Sequence, residues 1–290
     1  MPACACLQIG SKPIDGGHYI FDRSEADAFL AEEPDAAPFI HPYVGSREFL
    51  NGEERFILAL NGVSPATLKA LPLVRQRIAA VRTSREESGS TPTREMAKAP
   101  TRFHVTVIPT TPFLVIPEVS SERREYIPIA WLGPPVIPSN KVRVLLHASL
   151  WHFGLLTSAM HMAWMRQTSG RLKSDYQYGI GMKYNTFPLP HSNTAQQSAI
   201  DAHAQAVLDV RSAHVGSTLA DLYDPDSMPS DLRTAHATLD RAVDRLYRAS
   251  GFTSDRERVE FLFGLYEAAM LPLNLGTSSV SPKRVSKAKK

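Results

Sequence analysis

The sequence predicts an α+β fold, in which an irregular sheet broken by prolines and flanked by helices is followed by a small all-helical domain. Between residues 102 and 146 the chain carries short runs of β-branched and aromatic residues, and eight prolines fall between positions 100 and 140. After position 190 the apolar residues recur at helical spacing. The length of 290 residues suits about two domains, at roughly 100–200 residues per domain.

The first part of the chain is predicted to hold one short helix and one strand. Residues 1–45 are interpreted as a lead-in, with a helix that Ser24 caps and that ends near Glu33. The run FILAL (56–60) predicts a strand, because the turn pair Asn61-Gly62 follows it directly.

Two helices are predicted next. Ser64-Pro65 supplies an N-cap residue and a proline at the first helical position, which is a typical helix start. A second helix follows Pro72, and its polar face is expected to carry four arginines: Arg75, Arg77, Arg82 and Arg85.

The middle of the chain is predicted to form the sheet. The expected strands are FHVTVI (103–108), PFLVI (112–116), YIPIAWL (126–132) and VRVLL (142–146). One helix is expected over 149–167, and three amphipathic helices over 193–214, 230–249 and 254–270. The predicted units are the lead-in (1–45), an α+β domain (46–190), a helical domain (191–275) and a disordered basic tail (276–290).

Charge is distributed unevenly along the chain. The formal net charge is +3, but the last ten residues alone hold five basic and no acidic groups. Residues 101–190 carry nine basic against four acidic side chains, whereas residues 191–280 carry seven against twelve. The informative positive charge therefore lies in the α+β domain, where it favours a nucleic-acid partner.

The sequence indicates a cytoplasmic protein. Two cysteines, Cys4 and Cys6, are too few and too close together for a disulfide framework, which points to a reducing compartment. No window approaches about 18 consecutive apolar residues, so no membrane span is expected. The start lacks a basic segment followed by an apolar core, so no secretory signal is expected either.

Catalytic and metal-binding motifs are not found. Gly179-Ile180-Gly181 does not lie between a strand and a helix, and Asn185-Thr186-Phe187-Pro188 lacks the proline pair of an adenine-methylating loop. Cys4, Cys6 and His18 are interpreted as ordinary residues rather than as a metal site. The chain alone is expected to be inactive, with no catalytic residue, metal or cofactor of its own.

Other polar residues are given structural interpretations. His161 lies in a stripe of Met and Trp and is interpreted as a packed helix residue. Two clusters of alternating charge, 122–125 and 240–245, are interpreted as solvated faces with pairing within one helix.

The segment GRLKSDYQY (170–178) is the densest polar group in the positive region. Lys173 and Asp175 lie two residues apart, so on an extended segment both side chains project to one face. Such a pair suits one G·C base pair, because lysine donates to guanine O6 and N7 while aspartate accepts from cytosine N4. A plain surface salt bridge between the two is the alternative, and on composition alone it is favoured.

Further contacts to DNA are predicted around this pair. Tyr176 and Tyr178 are expected to stack on bases or to reach phosphates. The cations expected to contact the DNA backbone are Arg166, Arg171 and Lys183.

Several long strings resemble the specificity region of MmeI-like, type IIL restriction–modification enzymes, which are S-adenosylmethionine-dependent adenine-N6 DNA methyltransferases. The first are GSKPIDGG (10–17), PYVGSREFLNG (42–52), SPATLKALPLVRQRI (64–78), PTREMAKAPTRF (92–103) and VIPEVSSERREYIPI (115–129). The others are HFGLLTSAMHMAWMRQTSGRLKSDYQY (152–178), YNTFPLP (184–190) and DLYDPDSMPSDLRTAHATLDRAVDRLY (221–247). The resemblance extends to about residue 272.

The resemblance implies that this chain corresponds to a target recognition domain and a C-terminal helical domain, with residues 1–45 leading in from a methyltransferase core that the chain lacks. It also implies that Lys173 and Asp175 help to read the base pair beside the methylated adenine, with guanine on the adenine's strand. S-adenosylmethionine is then expected in that core, which would lie upstream in cis or on another chain. YNTFPLP departs from the more usual YNNFPWP, a change that keeps a turn and an apolar anchor.

The hypothesis is therefore a module that recognises duplex DNA for an adenine-N6 methyltransferase. A self-sufficient methyltransferase or nuclease would need motifs that the sequence lacks. The remaining alternative is a non-catalytic protein-interaction module, or a decayed gene fragment, that does not bind DNA. Steep loss of DNA affinity with salt separates these hypotheses.

Overall fold

The computed structural model describes residues 7–179, 184 and 186–275, and the side chains up to residue 270. The strands are β1 (Leu7–Ile9), β2 (Ile20–Phe21), β3 (Ile40–Val44), β4 (Phe56–Leu58), β5 (Phe113–Pro117), β6 (Val119–Ser120), β7 (Ala130–Leu132), β8 (Ile137–Pro138), β9 (Val142–Leu145), β10 (Gly170–Leu172) and β11 (Asp175–Gln177). The helices are α1 (Arg23–Glu32), α2 (Ser46–Asn51), α3 (Pro65–Lys69), α4 (Pro72–Glu86), α5 (Thr91–Glu95), α6 (Leu150–Leu156), α7 (Ala159–Thr168), α8 (Thr194–Ala213), α9 (Leu219–Leu222), α10 (Ser230–Tyr247) and α11 (Asp255–Leu275). Two 3-10 helices cover Pro34–Phe39 and Met96–Lys98.

The strands form three small sheets, with orders β1-β9-β5-β7, β2-β4-β3-β8 and β10-β11-β6. All named pairs are antiparallel except β3 with β8. The strands are short because proline and turn residues interrupt them, as the sequence predicts. The predicted fold class, a proline-broken α+β region followed by helices, is confirmed. Of the helices that the structure describes, none has both the length and the apolar character needed to cross a bilayer.

Residues 7–44 are part of the sheets rather than a separate lead-in. β1 pairs with β9 through Leu7 and Leu145, and β3 pairs in parallel with β8. Tyr19 and Phe21 are fully buried in the same core as Ile57, because these large apolar side chains complete its packing. Residues 7–44, which were expected to lead in to the α+β domain, therefore contribute strands and core side chains to that region.

Two predicted elements differ from the structure for local reasons. The segment 103–108 forms an isolated bridge between Val105 and Lys12 instead of a strand. The Ser11 hydroxyl accepts from the Val107 N–H at 2.8 Å and donates to its carbonyl at 2.9 Å, so a side chain replaces the strand partner. The helix expected over 149–167 is divided, because the Ser158 side chain caps α7.

Helix starts are otherwise close to the predictions. Ser64 caps α3 as expected, whereas α1 is capped by Asp22 instead of Ser24. The Asp22 carboxylate accepts from the Glu25 N–H, and the Glu25 carboxylate accepts from the Asp22 N–H, which is a capping box that begins before the expected cap. The three long C-terminal helices are confirmed as α8, α10 and α11, while the short α9 was not predicted.

Arg85, which was expected on the polar face of α4, is buried within the fold. Arg85 is 1% exposed, and its guanidinium donates to five backbone carbonyls. The acceptors belong to Pro13, Ile14, Met96, Ala99 and Arg102, at 2.7 to 3.1 Å. This arginine therefore joins two segments that are distant in sequence, which a pattern within one helix cannot reveal.

The C-terminal helices share a core with the α+β region. One apolar cluster extends from Leu114 of β5 through Trp164 of α7 to Leu239 of α10. At Gly154 a Cβ atom would lie 2.7 Å from Ile200 Cγ2, so glycine is what lets α6 and α8 approach closely. The helical region is thus packed onto the α+β region instead of having a core of its own among the described residues.

Buried polar groups fix this packing. The Asp240 carboxylate accepts from the Tyr126 hydroxyl at 2.7 Å and from the Ala159 N–H at 2.7 Å. Burial raises the pKa of Asp240 to about 6. Asp244 is 4% exposed and accepts from the Arg258 guanidinium. The interpretation of residues 240–245 as a solvated face is therefore wrong for both aspartates.

Candidate nucleic-acid interface

A hairpin built from β10 and β11 carries the predicted base-reading residues. Its register pairs Arg171 with Tyr176 and Leu172 with Asp175, which leaves Lys173 and Ser174 as a two-residue turn. The hairpin is anchored at its base, because Tyr176 also pairs with Ser120 of β6. Such a hairpin presents its turn while the pairing fixes its register.

Lys173 lies at the first position of this turn with a φ of 57°. That left-handed conformation strongly favours glycine, and a lysine there costs on the order of 1 kcal/mol. The side chain is exposed, and among the residues that the structure describes it forms no hydrogen bond or ion pair. A strained, unpaired cation at a hairpin turn is typical of a functional position.

The structure corrects the expected geometry of the pair. Lys173 and Asp175 do not lie on one extended strand, because Lys173 lies in the turn and Asp175 is the first residue of β11. The alternative salt bridge between them is not formed in the described part of the chain. Asp175 is half-buried, and its Oδ1 accepts a long hydrogen bond from the Glu122 N–H at 3.4 Å. Both residues thus lie at the same turn, in an arrangement that their spacing in the sequence did not predict.

Arg171 braces the turn from within the hairpin. Its guanidinium lies 4.3 Å from the centre of the Tyr176 ring and donates to the Ser174 carbonyl at 2.8 Å. It also lies 3.5 Å from a Glu122 carboxylate oxygen. Arg171 remains exposed, whereas Tyr176 is 6% exposed and is covered by this arginine. Arg171 therefore covers the ring of Tyr176, the residue that was expected to stack on bases or to reach phosphates.

Two further predicted contacts are occupied by the protein itself. Tyr178 is 1% exposed, and its hydroxyl is hydrogen-bonded to His161 Nε2 at 3.0 Å, so its ring lies in the core. Burial lowers the pKa of His161 to about 3, which confirms His161 as a packed helix residue. Arg166 forms an ion pair with Asp255 and donates to the Glu125 carbonyl at 3.1 Å, which leaves it committed within the fold. Lys183 lies outside the described residues.

The segment 121–126, whose residues 122–125 were interpreted as a solvated face, follows β6 and contacts the hairpin. Arg123 Nη2 lies 2.6 Å from Asp226 Oδ2, and Glu125 forms an ion pair with Arg233. These pairs join the segment to the helical region, so the predicted pairing within one helix is wrong. Arg124 is the exception, since its side chain has no hydrogen bond or ion pair in the described part of the chain.

Leu172 is a residue that the sequence did not single out. It is 54% exposed in β10, next to Lys173. An exposed leucine beside an exposed lysine is of the right type to contact a thymine methyl group. No alternation of polar and apolar residues distinguishes it in the sequence.

The residue types that bind metals are not clustered in the described part of the chain. Within residues 7–179, 184 and 186–270, no group of three or more His, Cys, Asp or Glu side chains is arranged to hold a metal ion. Cys4 and Cys6 lie outside the described residues.

Comparison with known proteins adds to this geometry. Residues 2–191 match the family model of the MmeI target recognition domain, and residues 192–273 match that of the MmeI C-terminal domain. The chain is 40% identical over 261 residues to DNA methyltransferase A of Bacillus subtilis (strain 168), covering 90% of this chain and 30% of that relative. It is also similar to the solved structure of the type IIL restriction-modification enzyme MmeI in complex with DNA, with a TM-score of 0.87 and 40% identity over 92% of this chain and 36% of that chain. The chain thus spans about a third of the length of these two relatives.

Proposed function

The chain belongs to the MmeI family, as a target recognition domain followed by the C-terminal domain, and on this premise we propose that it recognises a specific sequence in duplex DNA. The module would serve a site-specific adenine-N6 DNA methyltransferase of the restriction–modification type. The relative named DNA methyltransferase A and the MmeI structure with DNA support this assignment. The family membership matches the resemblance found in the sequence.

The observation that carries the proposal is the turn of the β10–β11 hairpin. Lys173 is exposed, unpaired in the described part of the chain and held at a φ of 57°, and Asp175 adjoins the same turn. Lysine as donor to guanine O6 and N7, and aspartate as acceptor from cytosine N4, together match one G·C pair in the major groove. A two-stranded ribbon has the right width to enter that groove.

Contacts to the DNA backbone would fix the hairpin on the duplex. Arg171 is exposed beside the turn and supplies positive charge there. Lys183 is proposed for the same role from its place in the sequence. Arg166, Tyr176 and Tyr178 are not included, because they are occupied or buried within the fold.

The catalytic partner is proposed to be a methyltransferase core, either in cis or on another chain. That core would bind S-adenosylmethionine and would flip the target adenine out of the helix to methylate it. Relatives about three times as long as this chain support the proposal, since most of their length is not represented here. The proposed setting is the cytoplasm, in keeping with a chain of only two cysteines.

An apolar groove on the helical side is the basis for proposing a protein partner there. It has a volume of about 410 Å³ and is lined by Pro188, Leu189, Leu246, Phe261 and Leu265. Leu189 and Leu265 are 45% and 38% exposed, which is a concave apolar surface of the kind that protein interfaces cover. We place the methyltransferase core there as part of the same proposal.

The proposal is tested by selecting bound sequences from a duplex pool with a randomised centre. The 290-residue chain is expected to bind duplex DNA at low salt, to lose affinity steeply as salt increases, and to enrich a motif containing a fixed G·C pair. Lys173→Ala should still bind duplex DNA but should lose its preference for that G·C pair. The lost discrimination between that pair and other base pairs should amount to about 1–3 kcal/mol. Undetectable binding even at low salt would overturn the proposal and would favour the protein-interaction module.

A further inference from the structure

The segment 121–126 is held on both sides, and we call it the bridging loop. On the hairpin side, the Glu122 N–H donates to Asp175 Oδ1 at 3.4 Å, and the Glu122 carboxylate lies 3.5 Å from Arg171. The bridging loop therefore contacts the proposed reading hairpin directly, through both its backbone and a side chain.

On the other side, the bridging loop is fixed to the helical region. Arg123 pairs with Asp226 at 2.6 Å, and the Tyr126 hydroxyl donates to the buried Asp240 at 2.7 Å. Glu125 also pairs with a helical residue, Arg233. Every charged side chain of the bridging loop is thus engaged in an ion pair, with one exception.

That exception is Arg124. It is half-buried, yet in the described residues its side chain has neither a hydrogen bond nor an ion pair. Burial lowers its pKa, while the nearby carboxylates of Asp224 and Asp175 act in the opposite direction without coming within bonding distance. A cation that is partly withdrawn from water and lacks a bonded counter-charge is unfavourable until an anion reaches it.

The proposed role of Asp175 requires a cation at this place. A carboxylate that approaches DNA is repelled by the phosphates on both sides of the groove, so it needs nearby positive charge. Lys173 is assigned to the base, and Arg171, which contacts Ser174, Glu122 and Tyr176, is assigned to the backbone beside the turn. Arg124 is the remaining cation beside Asp175 in the bridging loop.

We propose that Arg124 binds a backbone phosphate next to the base pair that the hairpin reads, and that the bridging loop holds it there. This inference rests on the proposed function and adds a contact that neither the sequence nor the hairpin geometry assigned. Its consequence is a division of labour, in which the hairpin reads bases and the bridging loop fixes the position of the duplex.

The test compares wild type, Arg124→Ala, Arg124→Lys and Arg124→Gln in salt titrations with the randomised duplex pool. One lost phosphate contact should reduce the slope of log affinity against log salt by about 0.9 in the Ala and Gln variants, and the Lys variant should keep the wild-type slope. Arg256→Ala is the matched control, because Arg256 is exposed and already paired with Glu260 at 2.8 Å. It should leave the slope unchanged.

Two further readouts separate DNA contact from a structural role. Sequencing of the bound duplexes should give the same preferred motif for Arg124→Ala as for wild type. Urea unfolding should show Arg124→Ala at least as stable as wild type, since no bond within the described protein is lost. A residue that merely supports the fold would lower stability instead.

The outcomes distinguish this inference from the proposed function. A wild-type slope in Arg124→Ala overturns the inference alone. A changed base preference also overturns it, because Arg124 would then read a base edge. If wild type fails to bind duplex DNA at low salt, the proposed function fails and the inference fails with it.

Discussion

Arg85 provides the sharpest prediction about how the α+β region is held together. All five guanidinium N–H groups donate to backbone carbonyls, and no carboxylate forms an ion pair with Arg85 in the described part of the chain. A lysine ammonium has three donors, so Arg85→Lys removes at least two of the five hydrogen bonds. The Met96 and Ala99 carbonyls also accept from the N–H groups of Ala99 and Arg102, so the loss is counted in hydrogen bonds. At about 1.5–3 kcal/mol for each hydrogen bond to a charged group, the variant should lose about 3–6 kcal/mol of unfolding free energy.

That loss is large against the roughly 5–15 kcal/mol that stabilises a typical domain. The assay is equilibrium unfolding in urea, with the transition followed by both fluorescence and circular dichroism. Arg82→Lys is the matched control, because Arg82 is an exposed residue of the same helix, and it should change stability by less than about 0.5 kcal/mol.

The planar shape of the Arg85 guanidinium matters as well as its number of donors. The planar guanidinium reaches carbonyls on residues 13–14 and 96–102 at once, which a single ammonium cannot do. A loss below about 1 kcal/mol in Arg85→Lys, with an unchanged denaturant slope, would refute the five-bond account.

Three other variants test the site and its support. Tyr178→Phe should lower the free energy of unfolding, measured in urea, by about 1–2 kcal/mol, because His161 loses its hydrogen-bond partner. It should leave DNA affinity unchanged. A loss of DNA affinity without a loss of stability would instead identify Tyr178 as a DNA contact. His161 has a pKa near 3 in the folded chain and 6.5 in the unfolded chain. Between these two pH values the unfolded chain binds more protons than the folded chain. The free energy of unfolding therefore falls as the pH decreases below 6.5. His161→Gln should therefore show a shallower decline from pH 6.5 to 4, by up to about 1.4 kcal/mol per pH unit, and an unchanged decline would contradict the burial argument. Lys173→Gly should raise stability by about 1 kcal/mol by relieving the positive φ, yet should abolish the preference for the G·C pair, and a less stable variant would contradict the strain.

The elements that local pattern determines were predictable from the sequence. The apolar spacing of α8, α10 and α11 gave all three helices, and Ser64-Pro65 gave the start of α3. The long strings around GRLKSDYQY also directed attention to the hairpin that the structure places on the surface. In each case the determining residues lie within about one helix or strand of each other.

The features that depend on distant partners were not predictable. Tyr178 reads as an exposed polar residue in an alternating segment, and only its contact with α7 places it in the core. The bridging loop reads as a self-paired charge cluster, and only the fold brings Asp226 and Arg233 to it. Lys173 has a positive φ because it lies in a two-residue turn. The strand β6, which is distant in the sequence, helps to fix the register that produces this turn.

The central claim, that the β10–β11 hairpin reads a base pair, is tested most directly by exchanging its charges in an intact methyltransferase that contains this chain. The measurement is the set of adenine-methylated motifs in the DNA of cells that express the wild type or the double variant Lys173→Glu with Asp175→Arg. The account predicts that methylation continues but that the base pair at one position changes its orientation. After the exchange, glutamate at position 173 accepts from cytosine N4 and arginine at position 175 donates to guanine, which reverses the order of the two bases. An unchanged methylated motif in the double variant would contradict it.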